Sequence, residues 1–405
     1  MQRSGGVVIL MKDQQLEWII GSDSLEVSPL PPYSEVVVRF LDALSKDLRK
    51  IGTERGYPDL VSLGFWCRKG NILQLKNQAG DISCRLGRGL VFHITPSNVP
   101  INFAFSYFFG LLAGNANLVR VPSKQYPQVD IICQLIAKQL EAPEYEAIRV
   151  GTAFVRYGHD KAITDSFSQR ADSRIIWGGD TAIQEIRQSP MKAQGTEIVF
   201  ADRYSVGVLD SAAVLQASPE ALSRLAKQFY NDTYLMDQNA CSTPHTIFWL
   251  GKQTEEAKRI FWDAVWKEAK GYALEPIKAM DKYTDLCRVC MQHPEVIKTV
   301  QKYENYLYTI ELTKLPQDIT GLRGRFGMFY QMDLAELQQL APYMTSRLQT
   351  VLYYGVDKQQ ILEVVLQNHC QGLDRIVPFG SALDMNVYWD GYDIIGQLSR
   401  RLQCV

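Results

Sequence analysis

Cys241 lies in the run Asp232-Thr-Tyr-Leu-Met-Asp-Gln-Asn-Ala-Cys241-Ser-Thr-Pro-His245, between amide side chains and a Ser-Thr-Pro stop. A thiol on such a loop can be presented as a nucleophile. The same letters also suit a small core thiol, because free cysteine is among the most buried residue types. A second candidate is Asn98, in His93-Ile-Thr-Pro-Ser-Asn98-Val-Pro100. Its carboxamide can donate a hydrogen bond to an oxygen that gains charge, or can satisfy a turn. Arg120 and Lys124, in Val119-Arg-Val-Pro-Ser-Lys124, are cations that could grip a phosphate or sit solvated at a rim. Trp177-Gly-Gly-Asp180 opens a helix without the G-x-G-x-x-G spacing, so Gly178 and Gly179 are weak evidence of a phosphate turn. Cys287, Cys290 and His293 could stack on one helix, but no second cluster completes a zinc site. His245, four residues after Cys241, could act as a base but reads better as a structural residue at a strand start, and Gly321–Gly327 could approach a phosphate but reads better as a plain connecting loop.

Positioning these residues requires an alternation of strands and helices. Gly89–Ile94 reads as a buried strand, Ile101–Leu112 as a helix stopped by Gly114 and Asn115, and Asn117–Val121 as the next strand. The unit has the length of a βαβ crossover. Further helices are predicted at 127–140, 160–169 and 181–187, with strands at 147–157 and 174–177. Upstream, Val7–Leu10 is a strand candidate and 36–51 a helix. This rhythm describes an α/β, doubly wound domain, in which Asn98 follows a strand and Arg120 and Trp177 stand at the ends of two others. Beyond Asp210 the pattern restarts. Helices are predicted at 218–230, 253–269, 282–300 and 357–368, and strands at 246–250, 306–312, 327–332, 350–354 and 375–379. A closing helix is expected at 392–402. The expected division is residues 1–210 as a cofactor domain (1–60 poorly defined), 211–372 as a cysteine domain, and 373–405 as a return to the first.

Composition narrows the classes. The 405 residues are 46% apolar and 21% charged, as in an ordinary globular protein. With 43 basic against 44 acidic residues, nothing global draws the chain to nucleic acid or an anionic membrane. Eight cysteines dispersed over this length suggest reduced thiols and a cytoplasmic setting. The longest apolar stretch, Phe103–Ala113, falls short of the roughly 20 residues a membrane span needs, so no span is expected.

Taken together the motifs carry more than they do singly. Thr95-Pro-Ser-Asn-Val-Pro, Ala113-Gly-Asn and Val119-Arg-Val-Pro-Ser-Lys124, followed by Gln238-Asn-Ala-Cys241, resemble the aldehyde dehydrogenase superfamily in order and spacing. Ile176-Trp-Gly-Gly-Asp180, Ala201-Asp-Arg-Tyr-Ser205, Asp237–Ser242, Gly372–Pro378 and Trp389–Asp393 are similar to one branch of it, the bacterial long-chain acyl reductase family, LuxC. That family makes aldehyde for bioluminescence and has relatives elsewhere. The resemblance implies an aldehyde-dehydrogenase-like fold, with a Rossmann-type cofactor domain, an α/β catalytic domain and a site between them. It implies Cys241 as the acyl-accepting thiolate, and Asn98 with the backbone N–H of Cys241 as an oxyanion hole. Pro96, Arg120, Lys124, Trp177, Gly178 and Gly179 would face NADPH. The implied reaction is NADPH-dependent reduction of an acyl-CoA or acyl-protein thioester to the fatty aldehyde. An acyl-protein synthetase or acyl-transferase subunit is the implied partner, and a homo-oligomer the implied assembly.

Two departures matter. The acid that usually follows Pro-Ser is Lys124 here, which suits a 2′-phosphate. The usual E-L-G-G-K segment falls near Phe200–Tyr204 without its glutamate, which in hydrolytic members activates water; Glu197 stands close in sequence. Two other readings remain open at this stage. One is an aldehyde oxidiser that makes acid, and the other is a non-catalytic partner subunit.

Overall fold

Two large sheets, of six and seven strands and each with apolar side chains packed against it, organise the described residues. The structure, a computed structural model, describes residues 16–96 and 99–403. The chain divides into one unit comprising residues up to Ala201 together with those from Asn386 onward, and a second comprising Asp202–Met385.

The first sheet contains β1 (Glu17–Ile20), β3 (Leu90–Ile94), β4 (Ala116–Arg120), β5 (Thr152–Arg156), β6 (Ser173–Trp177) and β7 (Thr196–Phe200), while β2 (Arg85–Gly87) lies outside it. The order is β1-β5-β4-β3-β6-β7, parallel apart from β1. From β3 the chain builds outward through β4 and β5, then crosses back to β6 and β7, so the order reverses between β3 and β6. Every residue of β3 is buried, as expected of a central parallel strand covered on both faces. The helix Asn102–Leu112 is buried all round, which explains its largely apolar sequence without any membrane. Among the described residues, no helix is long and apolar enough to cross a membrane.

The second sheet contains β8 (Tyr204–Asp210), β9 (Pro244–Leu250), β10 (Ile297–Tyr303), β11 (Leu307–Leu312), β12 (Met328–Leu334), β13 (Leu348–Tyr354) and β14 (Arg375–Pro378). Its order is β10-β11-β12-β9-β8-β13-β14, with β10 alone antiparallel. One face packs on Phe229, Phe261, Trp262 and Phe329. The other packs on Tyr204, Ile310, Tyr330 and Val351.

Several expectations shift. The break placed near Asp210 lies at Ala201/Asp202, because Tyr204–Asp210 is a central strand of the second sheet. The return placed at 373 begins at Asn386, because β14 pairs with β13. The helix expected over 282–300 is Pro276–Gln292; Pro294 stops it, and the β-branched Ile297, Thr299 and Val300 continue as β10. The closing helix shortens to Ile394–Leu398 and gives way to an extended Ser399–Arg401 paired with β2. The strand expected from 147 starts at Thr152, after a helical turn at Glu146–Arg149. The helices Pro58–Trp66 and Lys69–Gln78 and the strand β7 were not foreseen. Val7–Leu10 and Asn98 lie outside the described residues.

Candidate active site

Cys241 sits in the turn just before β9, at the amino end of the second sheet, and is partly exposed. The path to it is unusual. The helix Pro219–Thr233 tightens into a 3₁₀ turn, and then Asp237 and Gln238 both adopt left-handed backbone, with φ of 53° and 61°. Non-glycine residues there cost free energy, so the surroundings must hold them. Gln238 is the clamp. Its buried side-chain oxygen accepts from the N–H groups of Gly327 (2.6 Å) and Met328 (3.1 Å), and its amide nitrogen donates to the Met328 carbonyl at 3.1 Å. The Asp237 carboxylate accepts from the Tyr272 hydroxyl and pairs with Lys278 at 3.1 Å. On the far side, Ser205 Oγ donates to the Cys241 carbonyl at 2.7 Å, and Thr243 Oγ1 to that of Asp232 at 2.7 Å. Gly327 has φ 88°, and a Cβ there would meet the Tyr306 carbonyl at 2.2 Å, so only glycine lets the clamp close.

Two charged groups flank the thiol. Cys241 Sγ is 3.8 Å from Asp202 Oδ1, and Arg323 Nη1 donates to the same oxygen at 3.0 Å. Arg323 is itself anchored, Nη2 on the Arg203 carbonyl (3.0 Å) and Nε on that of Thr320 (3.2 Å). Sequence reasoning did not single out Asp202, Arg323 or Gln238. Their segments were quoted, but nothing in the letters said that 202 and 323 meet beside 241. His245 is not a base for the cysteine. It is buried, stacks on Tyr204, and bonds through Nδ1 to the Gly324 carbonyl at 3.1 Å. Burial, with Arg323 nearby, pushes it down to about 3, so it is neutral at ordinary pH.

The other expected residues gather in the first unit, at the carboxyl ends of β3, β4 and β6. Open α/β sheets place ligands at those ends, where strand order reverses. Pro96 follows β3, Arg120 ends β4 and Trp177 ends β6; Ile94 is in register with both Arg120 and Ile176. Gly178 and Gly179 lead into the helix Asp180–Arg187, and a Cβ on Gly179 would meet nothing within 4 Å. Trp177 is a buried packing residue. Its indole N–H donates to Ser106 Oγ at 3.1 Å and its ring stacks on Phe200 at 3.7 Å. Behind it, His93 Nδ1 is 2.8 Å from the same Ser106 oxygen. The Arg120 guanidinium is turned inward, with Nη2 on the Gly158 carbonyl (2.8 Å) and its plane over Tyr157. Lys124 is exposed, its ammonium over Tyr126 at 5.0 Å. Glu197, on β7, is bound by Arg174 (Nη2, 2.5 Å) and Arg187 (2.6 Å). The remaining motifs serve architecture. Asn115 accepts from Arg88 and Gly89, Asp374 pairs with Arg203 at 2.7 Å, and Asp393 caps the helix Ile394–Leu398. Among the described residues, Cys287 and Cys290 join no metal-ligating cluster.

A family model described as acyl-CoA reductase (LuxC) matches residues 72–401. The chain belongs to that family. Among curated LuxC relatives, long-chain acyl-protein thioester reductase 2 of Photobacterium leiognathi is 22% identical over 301 residues, covering 73% of this chain and 59% of that protein. The long-chain acyl-protein thioester reductase of Aliivibrio fischeri is 20% identical over 299 residues, covering 72% and 58%. The chain thus spans less than two thirds of the length of these relatives. Among solved structures, an indole-3-acetaldehyde dehydrogenase complexed with NAD⁺ superposes with a TM-score of 0.61 at 10% identity, over 90% of this chain and 82% of that one. This LuxC chain has the aldehyde dehydrogenase fold.

Proposed function

We propose that the protein reduces a long-chain acyl thioester, carried by CoA or by a protein, to the aldehyde through an acyl-Cys241 intermediate. One observation carries the reading: in a LuxC-family chain, a partly exposed thiol stands on a loop whose strained backbone is clamped by Gln238. Cys241 attacks the thioester carbonyl, the carrier thiol leaves, and the acyl group is held on sulfur. Asn98 and the backbone N–H of Cys241 are the proposed donors to the tetrahedral oxyanion.

The carboxyl-end edge of the first sheet fits a dinucleotide. Gly178 and Gly179 leave room before a helix N-terminus, where backbone N–H groups favour phosphate. The residues proposed to hold it are Pro96, Gly178 and Gly179, with Trp177 and Arg120 shaping the edge from beneath. Lys124 is the exposed cation suited to a 2′-phosphate, which favours NADPH. When bound, NADPH supplies the hydride that reduces the acyl carbonyl. Engagement of Glu197 with Arg174 and Arg187 argues against it as a water-activating base, and so against oxidation to acid by that route. The test is to incubate acyl-CoAs of graded length with NADPH or NADH, following nucleotide absorbance and the mass of the intact protein. Aldehyde formation with NADPH and an acyl adduct on Cys241 are expected, both abolished in Cys241→Ala. Aldehyde formation by that variant would end the proposal.

A further inference from the structure

The Asp202 carboxylate stands beside the thiol and is held there by Arg323. Its Oδ1 takes both the 3.8 Å contact from Cys241 Sγ and the 3.0 Å hydrogen bond from Arg323 Nη1, while two backbone carbonyls fix the guanidinium. We propose that Asp202 is a latent general base beside acyl-Cys241, and that Arg323 restrains it so that the acyl group is kept for reduction and not lost to water. This inference rests on the acyl-Cys241 reading above.

Hydrolysis of a thioester needs a group to take the proton of the attacking water, placed near the carbonyl carbon that the sulfur carries. A carboxylate 3.8 Å from that sulfur meets the requirement of position. Arg323 opposes it in two ways: its N–H occupies a lone pair on the oxygen nearest sulfur, and its charge compensates the carboxylate. With Arg323 gone, water oxygen bonds the acyl carbon, Asp202 takes the water proton, and the C–S bond breaks. The proton then passes to the departing thiolate. The products are a fatty acid and the Cys241 thiol, with no change of oxidation state. The side chains of Arg323 and Asp202 are 36% and 45% exposed, so the pair adds little stability. Its effect belongs in the partition of products.

The experiment follows palmitoyl-CoA with the full chain in the absence of NADPH, measuring acyl-Cys241 by intact mass and free palmitate by chromatography. The wild type should accumulate acyl-enzyme and release acid slowly. Arg323→Gln, scored per acyl-enzyme formed, should release acid about tenfold faster or more. Arg323→Lys, which keeps a cation, should stay near wild type, and Arg323→Gln combined with Asp202→Asn should lose the gain. Acid release by Arg323→Gln within about twofold of wild type would overturn the proposal, as would a double variant that hydrolyses as fast as the single one. If circular dichroism shows Arg323→Gln unfolded, Arg323→Met decides in its place: acid release per acyl-enzyme should rise in the same way, and a rate no faster than wild type overturns the proposal. A wild type that is never acylated at Cys241 removes the underlying reading, and this inference with it.

Discussion

Gln238 shows how a side chain with no reactive group can hold the loop that carries the proposed nucleophile. Replacing it with alanine leaves two N–H groups and a carbonyl unpaired in a buried site, a loss of roughly 2–4 kcal/mol. Gln238→Ala should therefore unfold at lower urea and acylate Cys241 more slowly, read by denaturation and intact mass. Arg120 and Lys124 looked equivalent as letters and are not equivalent in place. Arg120 bonds backbone carbonyls, so Arg120→Ala should cost stability of about 1–2 kcal/mol. Lys124→Ala should leave stability alone and raise the KM for NADPH several-fold, with little effect on NADH. At this scale the sequence was readable in local placement, as for Cys241 on a loop just before an apolar strand. It was not readable where partners are distant, as for Asp202 and Arg323, since spacing carries no information about loops that meet only after folding.

The element that positions most of this is the loop Gly321–Gly327, which on sequence looked like a plain connection. It carries Arg323 to Asp202 and presents Gly327 to Gln238. A buried lysine on the helix Pro276–Gln292 anchors it: Lys282 Nζ donates to the Phe326 carbonyl at 2.7 Å and to that of Asn305. Phe326 itself has φ 57° and needs that restraint. Lys282→Met should strand both carbonyls and free the loop. The expected result is faster amide exchange across 321–328 and at 238–241, while exchange in the first unit stays unchanged. Helix and strand identities in such stretches were legible from periodicity, as for Pro127–Leu140, which begins and ends where the pattern says. Boundaries failed where a single proline or an edge strand decided them, as at Pro294 and β10.

For the whole molecule, the two units should respond differently to acid. In the first, burial pushes His93 down to about 4. The unfolded chain takes up that proton near 6.5 and the folded unit does not, so stability falls as pH drops from about 6.5 towards 4. The second unit holds His245 at about 3, which acts in the same sense, but also Asp232, which burial pushes up to about 7. The folded unit binds that proton before the unfolded chain does, so Asp232 adds stability as pH falls from 7 towards 3.8 and offsets His245. Hydrogen exchange at pH 5 should therefore show the first unit opening before the second, with the order lost at pH 7.5.

The first unit is also interrupted in sequence by the whole of the second. Its seam is closed by Ser399–Arg401 on β2, by Arg85 Nη1 on the Gly396 carbonyl (2.9 Å), and by Asn115 Nδ2 on that of Leu398 (2.9 Å). A nascent chain on the ribosome therefore carries β2 as a bare edge through the synthesis of some three hundred residues. The first unit can therefore complete this pairing only after the whole of the second has been made.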